Sequence, residues 1–275
     1  MMERTKLGFI GCGNMARALI GGVIASGYAD PGDILASEPV AEAREQVAGQ
    51  YGIAVTGDNV EVLQKAGMVF LCVKPQVIGS VLGEIREVLT EEHLLVTVVA
   101  GKELEYYTEA LGMEKKTKVA RLMPNTPAMV GSGMTAVCVN EHVTEEERNE
   151  VLKIVSSVGA AEVVPETLFD TVTAVSGSSP AYVFMFIEAM ADAAVQGGMT
   201  RAQAYHFAAQ AVAGSAQLVL QTDRHPAELK DMVCSPAGTT IGAVRVLEDR
   251  GFRAAVIEAM AAARERSAAM RGGKG

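Results

Sequence analysis

The 275-residue chain has little cysteine, and what it has suits neither metal nor disulfide chemistry. Its four thiols, Cys12, Cys72, Cys138 and Cys234, lie far apart, with no C-x-x-C pair and no histidine cluster. That pattern points away from a zinc site and a disulfide framework, so no metal is expected and reduced thiols in a cytosolic protein are. An excess of positive charge is also lacking. The 24 basic residues stand against 33 acidic ones, a net charge of -9, so nothing in the balance favours nucleic acid or an anionic membrane. Any phosphate the chain binds must be held by local dipoles. Long apolar runs are missing as well. Residues 1–6 carry no signal-like apolar core, and the strongest apolar stretch, 181–195, is broken by Glu188 and Asp192. Neither an export signal nor a membrane span is expected, and the expected location is cytoplasmic. With 49% hydrophobic residues, the chain can bury at least one large core and is long enough for two domains.

The first part alternates short β-branched or apolar runs with amphipathic stretches. Residues 6–10, 33–37, 68–73, 94–99 and 118–122 read as strands between helices, which predicts a parallel α/β sheet. Runs at 135–139 and 160–164 flank a polar helical pattern at 144–157 and extend that sheet until Pro165 ends the pattern. From Leu168 onward Ala, Met, Gln and Glu recur at helical spacing, over 180–196, 201–221 and 253–270. The expected organisation is an α/β domain over 1–165 and an all-helical domain over 166–275. The first of these helices is apolar around most of its circumference, through Ala181, Phe184, Met185, Ile187 and Met190. More burial is implied than one small domain supplies, and a helical dimer interface is expected.

Directly after the first strand run stands Gly11-x-Gly13-x-x-Ala16, opening a helix. This is the fingerprint of a Rossmann-type dinucleotide-binding domain. Gly11 takes the tight turn, Gly13 lets the backbone approach a pyrophosphate, and Ala16 lets the helix pack close to the strand. The amides of the helix start, at Asn14 and Met15, then face the anion, with a dipole contribution of about 0.3–2 kcal/mol. Glu38, in Ala36-Ser37-Glu38-Pro39, is the acidic residue expected near the end of the second strand. There it accepts from ribose hydroxyls and repels the extra phosphate of NADP, so local charge favours NADH. Val73-Lys74-Pro75 and Ala100-Gly101 end later strands at the carboxyl edge, where open α/β sheets bind ligands. Lys74 reads equally as a phosphate or ribose partner and as a surface lysine.

Two small, polar clusters mark the second half: Ser176-Gly-Ser178-Ser-Pro-Ala181, and Lys230 to Ala243, containing Ser235-Pro-Ala-Gly238-Thr239-Thr240. Each precedes a helix. Ser178 or Ser179 before Pro180 has capping chemistry, and the 235–240 segment makes a helix start rich in donors. That segment, after Leu229-Lys-Asp231 and with Gly8-Phe-Ile-Gly-Cys-Gly-Asn-Met15 at the front, resembles the pyrroline-5-carboxylate reductases. Val73-Lys-Pro75, Ala100-Gly101, Met123-Pro-Asn125-Thr-Pro127, the 175–182 segment and His225-Pro226 agree with the family in the same order, so the resemblance covers essentially the whole chain.

The resemblance implies reduction of the cyclic imine 1-pyrroline-5-carboxylate to L-proline by hydride from NADPH or NADH, the last step of proline biosynthesis. It also implies homodimers with intertwined helical domains, often joined into rings of dimers. The nicotinamide of one subunit would then face a pocket built largely by its partner. The amides of Gly238, Thr239 and Thr240, with the Ser235 hydroxyl, suit the substrate carboxylate without a lysine or arginine. Thr240 matches the family threonine at the ring nitrogen, as hydrogen-bond partner or proton relay. A threonine hydroxyl is a poor acid, so the imine is expected to react already protonated, oriented by Thr240. Ser178 joins the expected substrate set. Asp223 stands where many relatives carry a glutamate near the substrate, with a shorter reach. Met123, Asn125 and Thr126 are expected to line the nicotinamide pocket, Met123 reading equally as core. His225 reads as catalytic or as a turn residue, and Tyr106-Tyr107 as surface packing on an acidic helix.

Two departures stand out. Ala237 replaces a glycine frequent in the family, so the backbone there must tolerate a Cβ. Relatives that favour NADPH often have a small hydroxyl residue in place of Glu38, leaving Asn59 and Ser37 as the remaining candidates for a phosphate site. Family analogy therefore points to NADPH and local charge to NADH. A 3-hydroxyisobutyrate-type dehydrogenase shares the layout but uses a helix lysine with no matching motif here. A non-catalytic nucleotide or pyridoxal binding protein would leave the donor-rich 235–240 loop without a purpose.

Overall fold

The computed structural model describes residues 7–112 and 116–271. The chain opens with β1 (Leu7–Ile10), α1 (Asn14–Ala25), β2 (Ile34–Ser37), α2 (Ala41–Tyr51), β3 (Ala54–Thr56) and α3 (Asn59–Lys65). It continues through β4 (Met68–Leu71), α4 (Ile78–Ile85), β5 (Leu94–Thr97), α5 (Leu104–Leu111), β6 (Lys118–Met123), β7 (Gly133–Val139), α6 (Glu145–Val155) and β8 (Gly159–Val163). Helices follow: α7 (Phe169–Val172), α8 (Ser179–Gln196), α9 (Arg201–Thr222), α10 (Pro226–Val233), α11 (Thr239–Asp249) and α12 (Phe252–Arg271). The strands form one 8-stranded sheet of order β3-β2-β1-β4-β5-β6-β7-β8. Pairing is parallel from β3 to β6, antiparallel between β6 and β7, and parallel again between β7 and β8. Strand order reverses between β1 and β4, the position where a doubly wound sheet opens a ligand crevice.

The fold is the expected α/β sheet followed by helices. Strands β1, β4 and β5 are buried at every position, as parallel strands covered on both faces must be. One apolar layer gathers α1, α2 and α6 around Phe9 and Phe70, whose rings stack at 4.9 Å. The opposite layer gathers α3, α4 and α5. The polar 144–157 pattern becomes α6, started by a reciprocal cap between Thr144 and Glu147, which satisfies two otherwise orphaned N–H groups. β3 is a short strand on the open edge that no sequence run marks. Tyr107 corrects the surface reading of the tyrosine pair: it is fully buried, and its hydroxyl meets that of Thr97 at 2.6 Å. Leu104, Tyr107 and Leu111 share the inner stripe of α5, so the acidic residues occupy only its outer side.

Two compact units emerge, one running to Gly177 and including the residues from Arg264 on, the other Ser178–Ala263. The first therefore extends past Pro165. Glu166 is the reason: its carboxylate pairs with Arg121 at 2.7 Å and accepts the Leu104 N–H at 2.8 Å, so the segment after the proline is pinned to β6 and to the start of α5. Arg121 is buried at 3% exposure, with its guanidinium 4.5 Å from the centre of the Phe169 ring. In the helical unit, α8 ends at Gly197, and Thr200 with Gln203 caps α9. Ala191, Ala204 and Ala208 are buried within the unit. Large apolar side chains nevertheless remain outside, with Phe184 at 63%, Met185 at 68%, Phe207 at 63% and Leu220 at 84% exposure. A single small unit does not bury them, as the all-round apolar pattern implied. Among the described residues no helix is long and apolar enough to cross a membrane.

Candidate active site

The first site is the turn from β1 into α1. Gly11 adopts φ +91°, and a Cβ there would lie 2.8 Å from the Cys72 carbonyl oxygen. Only glycine makes this turn without strain. Its N–H donates to the Ser37 carbonyl at 2.9 Å, fastening the turn to the end of β2. Gly13 is the N-cap of α1 and no side chain caps it. A Cβ built on Gly13 meets nothing within 4 Å, so its glycine identity answers to no neighbour in the protein. The first amides of α1, at Asn14 and Met15, thus start an uncapped helix beside open space, the arrangement that binds a phosphate through backbone donors. Arg17 adds a fixed cation nearby, its Nε donating to the Cys12 carbonyl at 3.0 Å.

The end of β2 lies against this turn. Glu38 accepts from the Cys12 N–H through Oε2 and from the Val40 N–H through Oε1, both at 3.2 Å. Its carboxylate is therefore anchored between the phosphate turn and the start of α2. The buried Ser37 hydroxyl donates to Asn59 Oδ1 at 2.6 Å, and Asn59 Nδ2 donates to Glu84 on α4 at 2.6 Å. Sequence reading named Ser37, Glu38 and Asn59 one by one, and the structure joins Ser37 to Asn59 with Glu38 as the next residue along the chain. It missed Glu84, which no motif marks. Cys12 sits beneath, and burial, then Glu38, push its thiol up to about 11, with Arg17 opposing. Burial likewise raises Cys72 and pushes Cys138 up to about 12. These thiols are inert packing groups, and among the described residues no cluster can hold a metal.

Along the carboxyl edge, Val73 packs beside Gly11, while Lys74 is exposed and its carbonyl accepts from the Val77 N–H in a turn. Pro75 is half-buried, Ala100 is exposed, and Gly101 turns at φ +75°. Met123 is nearly buried and belongs to a small core with Phe169. The Asn125 side chain is engaged at both ends: Oδ1 accepts the Met134 N–H at 2.9 Å and Nδ2 donates to the Ser176 carbonyl at 3.0 Å. It ties the β6–β7 connection to the π-helical turn Thr173–Gly177.

In the helical unit, α11 begins at Thr239 with Gly238 as an uncapped N-cap. Of the three amides expected to face a carboxylate, that of Gly238 donates to the Ser235 carbonyl at 3.0 Å. The first-turn donors are therefore those of Thr239 and Thr240, with Ile241 next. The half-buried Thr240 hydroxyl bonds to no other described residue. A Cβ on Gly238 would displace the Ser235 hydroxyl and crowd the Ser235 carbonyl. Ala237 takes φ +56° and Asp223, the C-cap of α9, takes φ +51°. The left-handed region admits aspartate more readily than alanine, so the strain falls on Ala237. Ser178 corrects the capping expectation: it lies at φ -92° and ψ -29° and makes no cap bond. Its backbone is already helical, continuing from the preceding π turn. His225 is the N-cap of α10, its Nδ1 accepting the Ala227 N–H at 3.1 Å, a structural role.

A sheet of this order, with an uncapped Gly11–Ala16 turn and an anchored carboxylate after β2, defines a Rossmann-type dinucleotide-dependent oxidoreductase carrying a separate helical unit. Residues 6–101 match the family described as NADP oxidoreductase coenzyme F420-dependent, and residues 166–270 match pyrroline-5-carboxylate reductase dimerisation. The chain is 55% identical to the pyrroline-5-carboxylate reductase of Escherichia coli (strain K12), over 97% of this chain and 98% of that one. Among solved structures, the pyrroline-5-carboxylate reductase of Coxiella burnetii superposes with a TM-score of 0.91 at 34% identity, covering 98% of this chain and 100% of that one. The Plasmodium falciparum pyrroline carboxylate reductase with NADP bound superposes with a TM-score of 0.88 at 32% identity, covering 99% and 100%. The chain belongs to the pyrroline-5-carboxylate reductase family.

Proposed function

We propose that this protein is a cytoplasmic reductase that converts 1-pyrroline-5-carboxylate to L-proline, closing proline biosynthesis. The observation that carries the reading is the pair of uncapped helix starts, at Gly13 and at Gly238, in a chain of this family. The first suits a dinucleotide pyrophosphate. The second suits a small carboxylate held by amides alone. A bound nicotinamide cofactor would supply the hydride. Gly11, Gly13, Asn14 and Met15 hold its pyrophosphate, and Glu38 takes the ribose hydroxyls. The carboxyl-edge residues Val73, Lys74, Pro75, Ala100 and Gly101 line the path beyond, with Asn125 holding the far wall in place. On the substrate, the Thr239 and Thr240 amides and the Ser235 hydroxyl bind the carboxylate.

Thr240 accepts the N–H of the protonated ring nitrogen through its hydroxyl, keeping the imine in its charged, electrophilic form. The chain thereby orients an iminium rather than acting as a strong acid. Ser178 and Asp223 are the remaining substrate candidates. The exposed apolar helices support a homodimer through residues 166–275, with rings of dimers as the larger assembly. On cofactor choice, the anchored Glu38 favours NADH.

The test is steady-state oxidation of NADH and of NADPH with 1-pyrroline-5-carboxylate, by the wild type and Thr240→Ala. Turnover by the wild type, with kcat reduced at least tenfold in the variant and nucleotide binding retained, is the expected result. A folded wild type that binds nucleotide and turns over neither cofactor would refute the assignment.

A further inference from the structure

Glu84 joins the two phosphate-site candidates Ser37 and Asn59 in one hydrogen-bonded chain at the end of β2, next to the carboxylate assigned to the ribose. Asn59 accepts from the Ser37 hydroxyl, and Ser37 is the residue directly before that carboxylate, so the chain meets the same strand end. The polarity of the chain is fixed. Glu84 accepts only, so it holds the nitrogen end of the Asn59 amide, which leaves the oxygen end for the Ser37 proton. Ser80 donates weakly to the other Glu84 oxygen at 3.4 Å. Both groups that would donate to a phosphate at this point are therefore committed: the Ser37 hydroxyl to Asn59, and one Asn59 N–H to Glu84. Arg44 has one terminal nitrogen engaged, its Nη1 donating to the Glu38 and Pro39 carbonyls at 2.8 and 2.9 Å.

We propose that Glu84 is a selectivity determinant for the adenosine ribose, acting through Asn59 to set this pocket against a 2′-phosphate. The inference rests on the dinucleotide reading above and adds a second carboxylate to it. A 2′-hydroxyl donates to Glu38 and asks nothing of Ser37 or Asn59. A 2′-phosphate meets the Glu38 charge directly, and to gain the Asn59 amide it must bring its own charge beside Glu84. For a dianion and a carboxylate within a Debye length of each other near the surface, the repulsion costs about threefold to tenfold in affinity after salt screening. Glu84 touches neither reacting atom and is a positioning residue.

The experiment is calorimetric binding of adenosine 2′,5′-bisphosphate and of 5′-AMP to the intact wild type and to Glu84→Gln, with kcat/KM for NADPH and NADH measured alongside. Glutamine keeps an acceptor for Asn59 and removes only the charge. The variant is expected to tighten the bisphosphate about threefold to tenfold relative to 5′-AMP, and to move the NADPH-to-NADH ratio of kcat/KM the same way. An unchanged ratio would overturn the proposal, and so would a shift away from the bisphosphate, which would mean that Glu84 holds Asn59 ready as a phosphate donor. Glu84→Ala, expected to act in the same direction, answers the question if the glutamine variant folds poorly. Mononucleotide binding needs no turnover, so normal discrimination in a protein with no reductase activity would sink the substrate reading and leave this one standing.

Discussion

Glu166→Ala should be far more damaging than the loss of a partly exposed carboxylate suggests. Its partner Arg121 is 3% exposed, 2.7 Å from Glu166 Oε1, and already has its Nε without a hydrogen-bond partner among the described residues. Removing the carboxylate strands a buried guanidinium, which costs about 3–5 kcal/mol where the pair is fully enclosed. Glu166 is 26% exposed, so water reaches one side, and about 2–4 kcal/mol is expected. Arg121→Met costs less, about 1–2 kcal/mol, because Glu166 can rehydrate and still accept the Leu104 N–H. In the double variant no charge is stranded, so the costs are sub-additive by about 1–3 kcal/mol. Urea unfolding midpoints of the four proteins, at one protein concentration so that the proposed association contributes equally to each, give the cycle directly. Additive costs, or an E166A cost below about 0.5 kcal/mol, would refute the argument that Arg121 depends on this carboxylate.

Four further outcomes are expected. Gly13→Ala should fold normally and weaken NADH binding at least tenfold, whereas Gly11→Ala should lower thermal stability, since of the two only Gly11 is left-handed and crowded by Cys72; equal losses of stability would contradict this. Ala237→Gly should stabilise the protein by about 0.5–1 kcal/mol in urea, the relieved left-handed strain less the added chain entropy. Glu38→Ser should raise the NADPH-to-NADH ratio of kcat/KM by more than Glu84→Gln does, because the proposed cofactor placement sets Glu38 against the ribose itself. The unfolded Cys12 thiol ionises near 9.0 and the folded one near about 11. Above pH 9 the unfolded state therefore releases its proton first and stability falls. Urea midpoints at pH 8 and pH 10 should show that loss, and Cys12→Ala should reduce it.

The buried strands and the phosphate turn were legible because parallel strands demand continuous apolar runs and the turn demands glycine at fixed positions. β3 was not: Ala54–Thr56 sits half-exposed on the sheet edge, so it needs no apolar run. Tyr107 carried its signal in the spacing of Leu104, Tyr107 and Leu111, outweighed in a linear reading by the glutamates between them. Arg121 carried none, since a charged residue in a strand normally marks the solvent side and only Glu166, 45 residues on, makes its burial tolerable. Ala237 was noticed as a missing glycine, but the φ of +56° that gives the substitution its cost belongs to the loop. Ser37, Glu38 and Asn59 were each readable. Their junction with Glu84 was not, because it depends on where α3 and α4 begin relative to the end of β2.

The return of α12 to the first unit has a consequence for how the protein is made. The chain leaves the nucleotide-binding unit at Gly177 and rejoins it only at Arg264, where Ser267 donates to Asp170 at 2.8 Å. The helical unit is thus an insertion held at both ends. A ribosome releasing residues in order exposes the whole sheet long before it delivers the helix that completes that unit, while the apolar faces of α8 and α9 emerge in between. The proposed assembly with a second chain and closure of the nucleotide unit are thereby pushed to the same late moment of synthesis. A chain stopped short of residue 264 would present both unfinished surfaces at once.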